Sequence, residues 1–273
     1  MSSQDWIIYE KIRARFERKF APKIYKSIRL QFFELANAIE QGKDISTMLN
    51  LGDMGTTIQN LYVETGAYFA RNTTRELGTG VKRFNVSDKW VSEILQYFRL
   101  HLLEKAVVPI SETTRDIVLN IIQRAQQEGW GVEKTVAFIR RETVELSRIR
   151  ARLIVRTETG KAANLGKWMA AANFDYATAK RWVTAGDHRV RPQIRGGGIS
   201  RTAANHMILN RQVRGLDEPF TNGLQFPGDP NGGPDEVCNC RCTIVFETIK
   251  DSQGNPIRNK PIYTNSIQRL IPV

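Results

Sequence analysis

The sequence predicts an α+β protein: an elongated all-helical N-terminal region followed by a small, loop-rich α+β domain with short antiparallel strands. Two observations predict it. Up to about Asn173 apolar residues recur at three- or four-residue spacing, the period of a helix with one buried face. Beyond Asn173 the spacing drops to alternate residues, and the apolar runs lie between stretches rich in glycine and proline. A length of 273 residues with 41% hydrophobic side chains is enough for a real core in one large domain or two ordinary ones.

Taken in order, Trp6, Ile7, Ile12 and Phe16 mark a first helical stripe, which Ala21-Pro22 is expected to interrupt because proline lacks an N–H donor. Ile24, Ile28, Phe32, Leu35 and Ile39 continue the spacing as far as Gly42, and a further helix is expected from Met54 to about Leu77. Gly78–Asn85 reads as a loop. Ser87-Asp88 then starts a helix carrying Trp90, Ile94, Phe98 and Leu102, with His101 placed as a core residue rather than a ligand. Pro109 is expected to end that run and Ser111 to cap the next, which stops near Gly129. Val132–Arg141 and Val144–Asn173 complete the helical part. Tyr176–Thr184 and Thr243–Ile249 are the expected strands, with a loop at Phe226–Asp235. The chain order divides into a helical region at 1–145, an α+β domain at 146–250 and a tail at 251–273.

The composition excludes several classes. No stretch approaches the roughly 20 apolar residues that span a bilayer, so no membrane partner is expected. The opening MSSQDWIIYEKIRARFERKF lacks the uncharged apolar block of a secretory signal. Cys238, Cys240 and Cys242 are too few and too closely spaced to staple a secreted fold, which points to a reducing compartment. The net charge of +12 is shared equally between residues 1–160 and 161–273 and favours salt-sensitive contact with polyanions such as DNA. Nucleotide-binding glycine loops, zinc-protease and serine-hydrolase motifs are absent from the sequence, as are helix-turn-helix and zinc-finger patterns.

Chemistry concentrates in three places. In an extended Cys238-Asn239-Cys240-Arg241-Cys242 the thiols share a face, and a CxC pair supplies half of a tetrahedral metal site. The missing ligands would come from His206, His188, Asp187 or Asp229; a zinc site of Cys240, Cys242, His206 and Asp187 would stabilise a domain with little core. Cysteines packed as small buried hydrophobes are the competing reading. Arg156 and Glu158, two residues apart on a helix, do not face one another; each needs another partner or lies on an ordinary polar face. Arg189 and Arg191 follow a Gly186-Asp187 turn and are read as internal scaffolding, with phosphate contact as the alternative.

Four ordered blocks, RTETGKAANLG, WVTAGDHRVR, HMILNRQV with DEPF, and FPGDPNGGPDEVCNCRC, resemble the phage Mu F-like family of minor head, or head morphogenesis, proteins of tailed double-stranded DNA phages. The resemblance runs from about Val132 to Phe246. It places the family's Arg-Thr-Glu on Arg156, Thr157 and Glu158, its Asp-x-Arg-x-Arg on Asp187, Arg189 and Arg191, its histidine on His206 and its CRC on Cys240, Arg241 and Cys242. Two departures stand out: Gln193–Asn205 reads as a surface insertion, and Cys238 occupies a position where an aliphatic residue is usual.

The resemblance implies a structural virion component, not an enzyme, acting in head assembly or genome delivery. It would associate with the portal protein, the capsid interior and non-specific double-stranded DNA. It would sit inside the head near the portal, and in the host cytoplasm during assembly. The competing class is a metal-dependent hydrolase or nuclease acting on DNA, with Asp187, His206 and the cysteines around an open metal position.

Overall fold

The computed structural model describes residues 2–78, 86–192, 194–195, 198–199 and 204–258. All but Gly78 of the loop expected at Gly78–Asn85, much of the insertion Gln193–Asn205 and the greater part of the tail at 251–273 lie outside the described residues. The architecture is α+β, with long helices first and a small three-stranded antiparallel sheet after them. Helices α1 (Ser2–Glu40), α2 (Gly52–Leu77) and α3 (Val86–Tyr97) are followed by π-helical turns at Phe98–Val107, then α4 (Val108–Gln127) and α5 (Val132–Ala172).

Three sequence expectations need correction here. Pro22 does not interrupt α1. Its ring is exposed while Phe20, Ile24 and Ile28 on either side are fully buried, so the packed stripe outweighs the loss of one helical hydrogen bond. Pro109 starts a helix rather than ending one, because in the first turn its missing N–H has no intrahelical acceptor to lose. Ser111 therefore lies within α4, and its buried hydroxyl accepts from Gln31 Nε2 at 2.7 Å instead of capping. Nor does α5 break at Glu142-Thr143. Thr143 is buried there, donating to the Ile139 carbonyl and accepting from Arg29, and Glu142-Thr143 offers no glycine or proline to stop the helix. The C-terminal stops at Gly42 and Gly129 hold, each with the positive φ that ends a helix at glycine.

The chain forms two compact units, each assembled from non-consecutive segments. One comprises Glu17–Asn60 and Phe98–Val155. Its core is built from Phe20, Ile24, Ile28, Phe32, Ile58, Leu102, Val118 and Ile139. Polar groups within it are paired: Gln31 also donates to Asn50 O, and Arg150 donates to Thr114 Oγ1 and Ile110 O, burial drawing the Arg150 pKa down to about 10. His101 is half-buried there, and burial followed by the charge of Lys105 lowers its pKa.

The other unit comprises Met1–Phe16, Leu61–Tyr97 and Arg156–Val273. Strands β1 (Thr178–Val183), β4 (Val213–Gly215) and β5 (Thr243–Thr248) form its sheet in the order β4-β1-β5, with Arg181 opposite both Val213 and Val245. The described part of the insertion is a two-residue ladder of β2 (Ile194–Arg195) with β3 (Gly198–Ile199), and a short α6 (Pro234–Val237) precedes the cysteines. Lys180 on β1 is fully buried, donating to Leu216 O and Gln225 Oε1, which ties the loop after β4 to the sheet.

The second half of α5 is buried nearly all round, as its run of small residues requires. Gly160, Ala162, Ala163, Gly166, Ala170 and Ala171 let other backbones approach closely, and at Gly166 the approach is to Gly66 of α2. A Cβ at Gly166 would collide with the Gly66 carbonyl, a backbone group that no rotamer change can move. Gly166→Ala, otherwise favourable in a helix, is expected to lower stability by about 3 kcal/mol through forced separation of the two helices. The urea unfolding midpoint checks this, with Ala170→Gly as a control for helix propensity; an unchanged midpoint in Gly166→Ala would refute the close crossing.

Candidate metal centre

The face of α5 formed by Thr157, Gly160 and Asn164, at i, i+3 and i+7, receives the cysteine segment. Thr157 Oγ1 accepts from the Asn239 amide at 2.8 Å, and Arg156 donates to Asn239 Oδ1 at 3.2 Å. Gly160 lies against the Cys240 carbonyl. Asn164 is 1% exposed and uses its whole amide: Nδ2 donates to Pro227 O and Cys242 O, and Oδ1 accepts from Thr243 Oγ1 and the Ile244 amide. One asparagine thus joins the proline loop, the last cysteine and the start of β5 to the helix.

Asn239 has φ +57, and this left-handed residue breaks the strand alternation expected for the cysteine segment. Cys238 consequently turns outward and is exposed, while Cys240 and Cys242 are buried and share a face. The alignment of three thiols expected from the sequence is therefore corrected to two. His206 meets them: its Nδ1 lies 3.6 Å from Cys240 Sγ and 3.6 Å from Cys242 Sγ. The three donor atoms lie within 4.8 Å of one another, and all three residues are buried.

The surroundings orient the ring. Nε2 of His206 is 2.8 Å from Glu236 Oε2, which also accepts from Asn222 Nδ2 at 2.9 Å. An imidazole that donates from Nε2 to this carboxylate turns its Nδ1 lone pair towards both sulfurs, the arrangement of a metal-ligating histidine with a carboxylate behind it. Trp182 of β1 packs edge-on to His206 at 5.4 Å and to Phe220 at 5.0 Å, and its indole neighbours the Cys242 thiol. Arg191 donates to the carbonyls of Glu236 and Cys238 at the end of α6, and its own carbonyl accepts from the Met207 amide, which aligns the histidine segment with the cysteine segment.

The electrostatics favour one thiolate. Hydrogen bonding from the Cys242 thiol, and then from His206, holds the Cys240 pKa well below the ordinary thiol value against the opposing effect of burial. Burial, followed by the hydrogen bond to Cys240 and then the charge on Cys240, pushes Cys242 well above it. Burial alone would lower the His206 pKa, but its contacts with Cys240 and Glu236 outweigh that and raise it. A divalent cation would replace this shared proton arrangement by drawing both thiols into the ionised form.

The other residues singled out from the sequence lie elsewhere. Asp187 is not with the sulfurs: it pairs with Arg241 and Arg189, whose hydrogen bonds overcome partial burial and hold its pKa at about 2. It positions Arg241, which lies over the Trp6 ring at 5.7 Å while Trp6 Nε1 donates to the Arg241 carbonyl. Glu158 is buried and accepts from Tyr62 and Lys161 at 2.7 and 2.9 Å. Arg156, Glu158, Arg189 and Arg191 thus serve four separate contacts rather than one network. His188 is exposed, and Asp229 accepts from the amides of Gln225 and Asn231 within its own loop.

Sequence reasoning missed Glu236, Asn222, Trp182 and Asn164 as members of the site. Only Asn164 had a readable signal, its seven-residue spacing from Thr157 on one helix face.

Fold and site together define a class: a small α+β module whose loops are gathered on one buried helix and closed by a Cys–Cys–His cluster. The family model described as Phage Mu protein F like protein matches residues 116–245, just under half of the chain, and this matched stretch holds the whole cluster. Neither the curated proteins nor the solved structures compared with the chain give a match. No helix among the described residues is long and apolar enough to cross a membrane.

Proposed function

We propose that the chain is a structural minor head protein of a tailed double-stranded DNA phage or prophage, acting in head assembly or genome delivery. The observation that carries this reading is the family match over residues 116–245, which covers the α5 dock, the histidine and the cysteines. The proposed division of labour follows chain order. Residues 1–145 dock on the portal or the inner capsid surface, residues 146–250 form the head morphogenesis domain, and residues 251–273 are a tail. The protein resides inside the head near the portal, close to packaged DNA, and its charge of +12 suits that environment. Co-expression with the portal protein of the same phage is expected to give a complex that co-purifies at low salt; separate elution of the two proteins would remove the docking role.

The proposed metal is one structural zinc ion held by His206 Nδ1, Cys240 Sγ and Cys242 Sγ, with Glu236 orienting the histidine. The donor spacing supports this choice. With Zn–S about 2.3 Å and Zn–N about 2.0–2.1 Å, a tetrahedral ion separates its sulfur and nitrogen ligands by about 3.5–3.6 Å, and both sulfur–nitrogen distances are 3.6 Å. When bound, zinc would supply cross-linking between the histidine segment and β5 in a domain otherwise held by loops. Burial of all three ligands, and the engagement of Glu236 by His206 and Asn222, favour a structural role over hydrolysis.

A further inference from the structure

The cations of the unit formed by Glu17–Asn60 and Phe98–Val155 are unevenly spread along its helices. Residues 17–26 of α1 and 145–155 of α5 hold seven Lys and Arg against Glu17 and Glu145, whereas further along both helices acids balance bases. The two stretches run antiparallel side by side. Arg29 donates to Thr143 Oγ1 and Arg140 O, and Ala21, Pro22 and Tyr25 share a cleft of about 250 Å³ with Arg148, Ala151 and Arg152. Ala21, Pro22 and Ala151 are too small to fill the space between the helices, which leaves the cleft open.

Of the seven cations, Arg150 turns inward to Thr114 and Ile110. The others lie on the outer side. Arg18 and Lys26 stand one turn to either side of Pro22, about 12 Å apart along the helix, and Arg148 and Arg152 stand about 6 Å apart on the facing helix. Arg18, Lys26 and Arg152 are exposed and have no ion-pair partner among the described residues; Arg148 has an exposed one, Glu145. Two rows of cations on rigid helices flanking an open cleft suit a ligand with regularly repeated negative charge. Arginines four residues apart offer the planar, multi-donor geometry that phosphate oxygens accept.

We propose that this α1–α5 cleft is a phosphate-backbone binding surface for double-stranded DNA without sequence preference. The inference rests on the proposed placement of the protein beside packaged DNA and adds the surface that would make the contact. Arg18, Lys26, Arg148 and Arg152 contact phosphates, and Tyr25 lines the floor between them. No element of the cleft reaches for base edges, so binding depends on charge spacing and salt rather than on sequence.

The test is fluorescence anisotropy of the full chain with a random 30-base-pair duplex across a salt series. Wild type is expected to show log K falling linearly with log salt at about 0.9 per phosphate contacted. The fourfold variant Arg18→Gln, Lys26→Gln, Arg148→Gln, Arg152→Gln is expected to bind at least about 10-fold more weakly at low salt and to lose about 3.6 from that slope. A charge-matched control, Lys43→Gln, Arg99→Gln, Lys134→Gln, Arg141→Gln, removes four cations outside the cleft and is expected to keep most of both. Equal losses in the two variants would show that net charge alone binds DNA, which overturns the cleft while leaving the DNA reading standing. Wild type that binds no duplex overturns both. Polyglutamate competing as well as duplex at equal charge would assign the cleft to acidic protein instead. Far-ultraviolet circular dichroism of each variant confirms that the helices are intact.

Discussion

Freshly purified, reduced protein is expected to contain about one zinc ion per chain, and removing it with a strong chelator is expected to lower stability by about 5 kcal/mol. The size follows from the ligand count. Four-ligand zinc-finger sites contribute roughly 10–16 kcal/mol of coupled folding energy, and a three-ligand site in a module with its own buried helix should contribute a fraction of that. For a protein of this size each kcal/mol moves the unfolding midpoint by about 2–4 °C, so the chelated protein should melt about 10–20 °C earlier. Cys240→Ala, Cys242→Ala and His206→Ala should each abolish stoichiometric zinc.

Two milder variants separate the ligands from their surroundings. Glu236→Gln keeps the hydrogen bond to Nε2 but weakens the orientation of the ring, and should lower zinc affinity about 10–100-fold without preventing folding. Asp187→Asn should leave the zinc content unchanged, because its carboxylate is held by Arg241 and Arg189 rather than by the cluster. Zinc lost from Asp187→Asn but retained by Glu236→Gln would reverse the assignment. A metal-free wild type whose melting is indifferent to chelator would return Cys240 and Cys242 to the role of packed apolar side chains.

The second large effect is expected at Asn164. Its side chain makes four hydrogen bonds while almost fully buried, so Asn164→Ala strands the Pro227 and Cys242 carbonyls on one side and the Thr243 hydroxyl and Ile244 amide on the other. Each buried polar group left without a partner costs about 1–3 kcal/mol, and allowing for partial relaxation the loss should be about 4 kcal/mol. Asn164→Asp distinguishes hydrogen bonding from volume. It retains the acceptor for Thr243 and Ile244 but points a carboxylate oxygen at two carbonyls, and should be destabilised about as much as the alanine variant. Denaturant unfolding of both variants provides the measurement. If Asn164→Asp is as stable as wild type, the carbonyls of Pro227 and Cys242 are not held by this residue, and the docking of the cysteine segment on α5 must be rebuilt.

The two predictions also locate the limits of sequence reading in particular residues. His206 and the CxC pair were legible because their chemistry is restrictive: few roles suit two cysteines two residues apart with a histidine in the same half of the chain. Asp187 was an equally reasonable ligand on paper. Its exclusion depends on where Arg241 points, and a residue lying between two cysteines gives no hint that its guanidinium turns back to an aspartate 54 positions earlier. Glu236 was overlooked for a related reason, since nothing in the local sequence separates it from Asp235 beside it.

By itself the sequence determined the class of fold, the order of helices before strands, the stops at Gly42 and Gly129, the resemblance to the Mu F-like family, and a set of candidate donors in which His206, Cys240 and Cys242 stood beside Asp187. All of these depend on local backbone preference, on periodicity or on rare residue types, which are properties of short stretches. Only the tertiary structure decided that α1 passes through Pro22, that α5 is one helix, that Asn239 turns Cys238 away from its neighbours, and that α1 and α5 bring their cations to one cleft. Those outcomes are balances between a local cost and the burial or pairing of groups more than 80 residues apart, and a balance of that kind has no signature in any single segment.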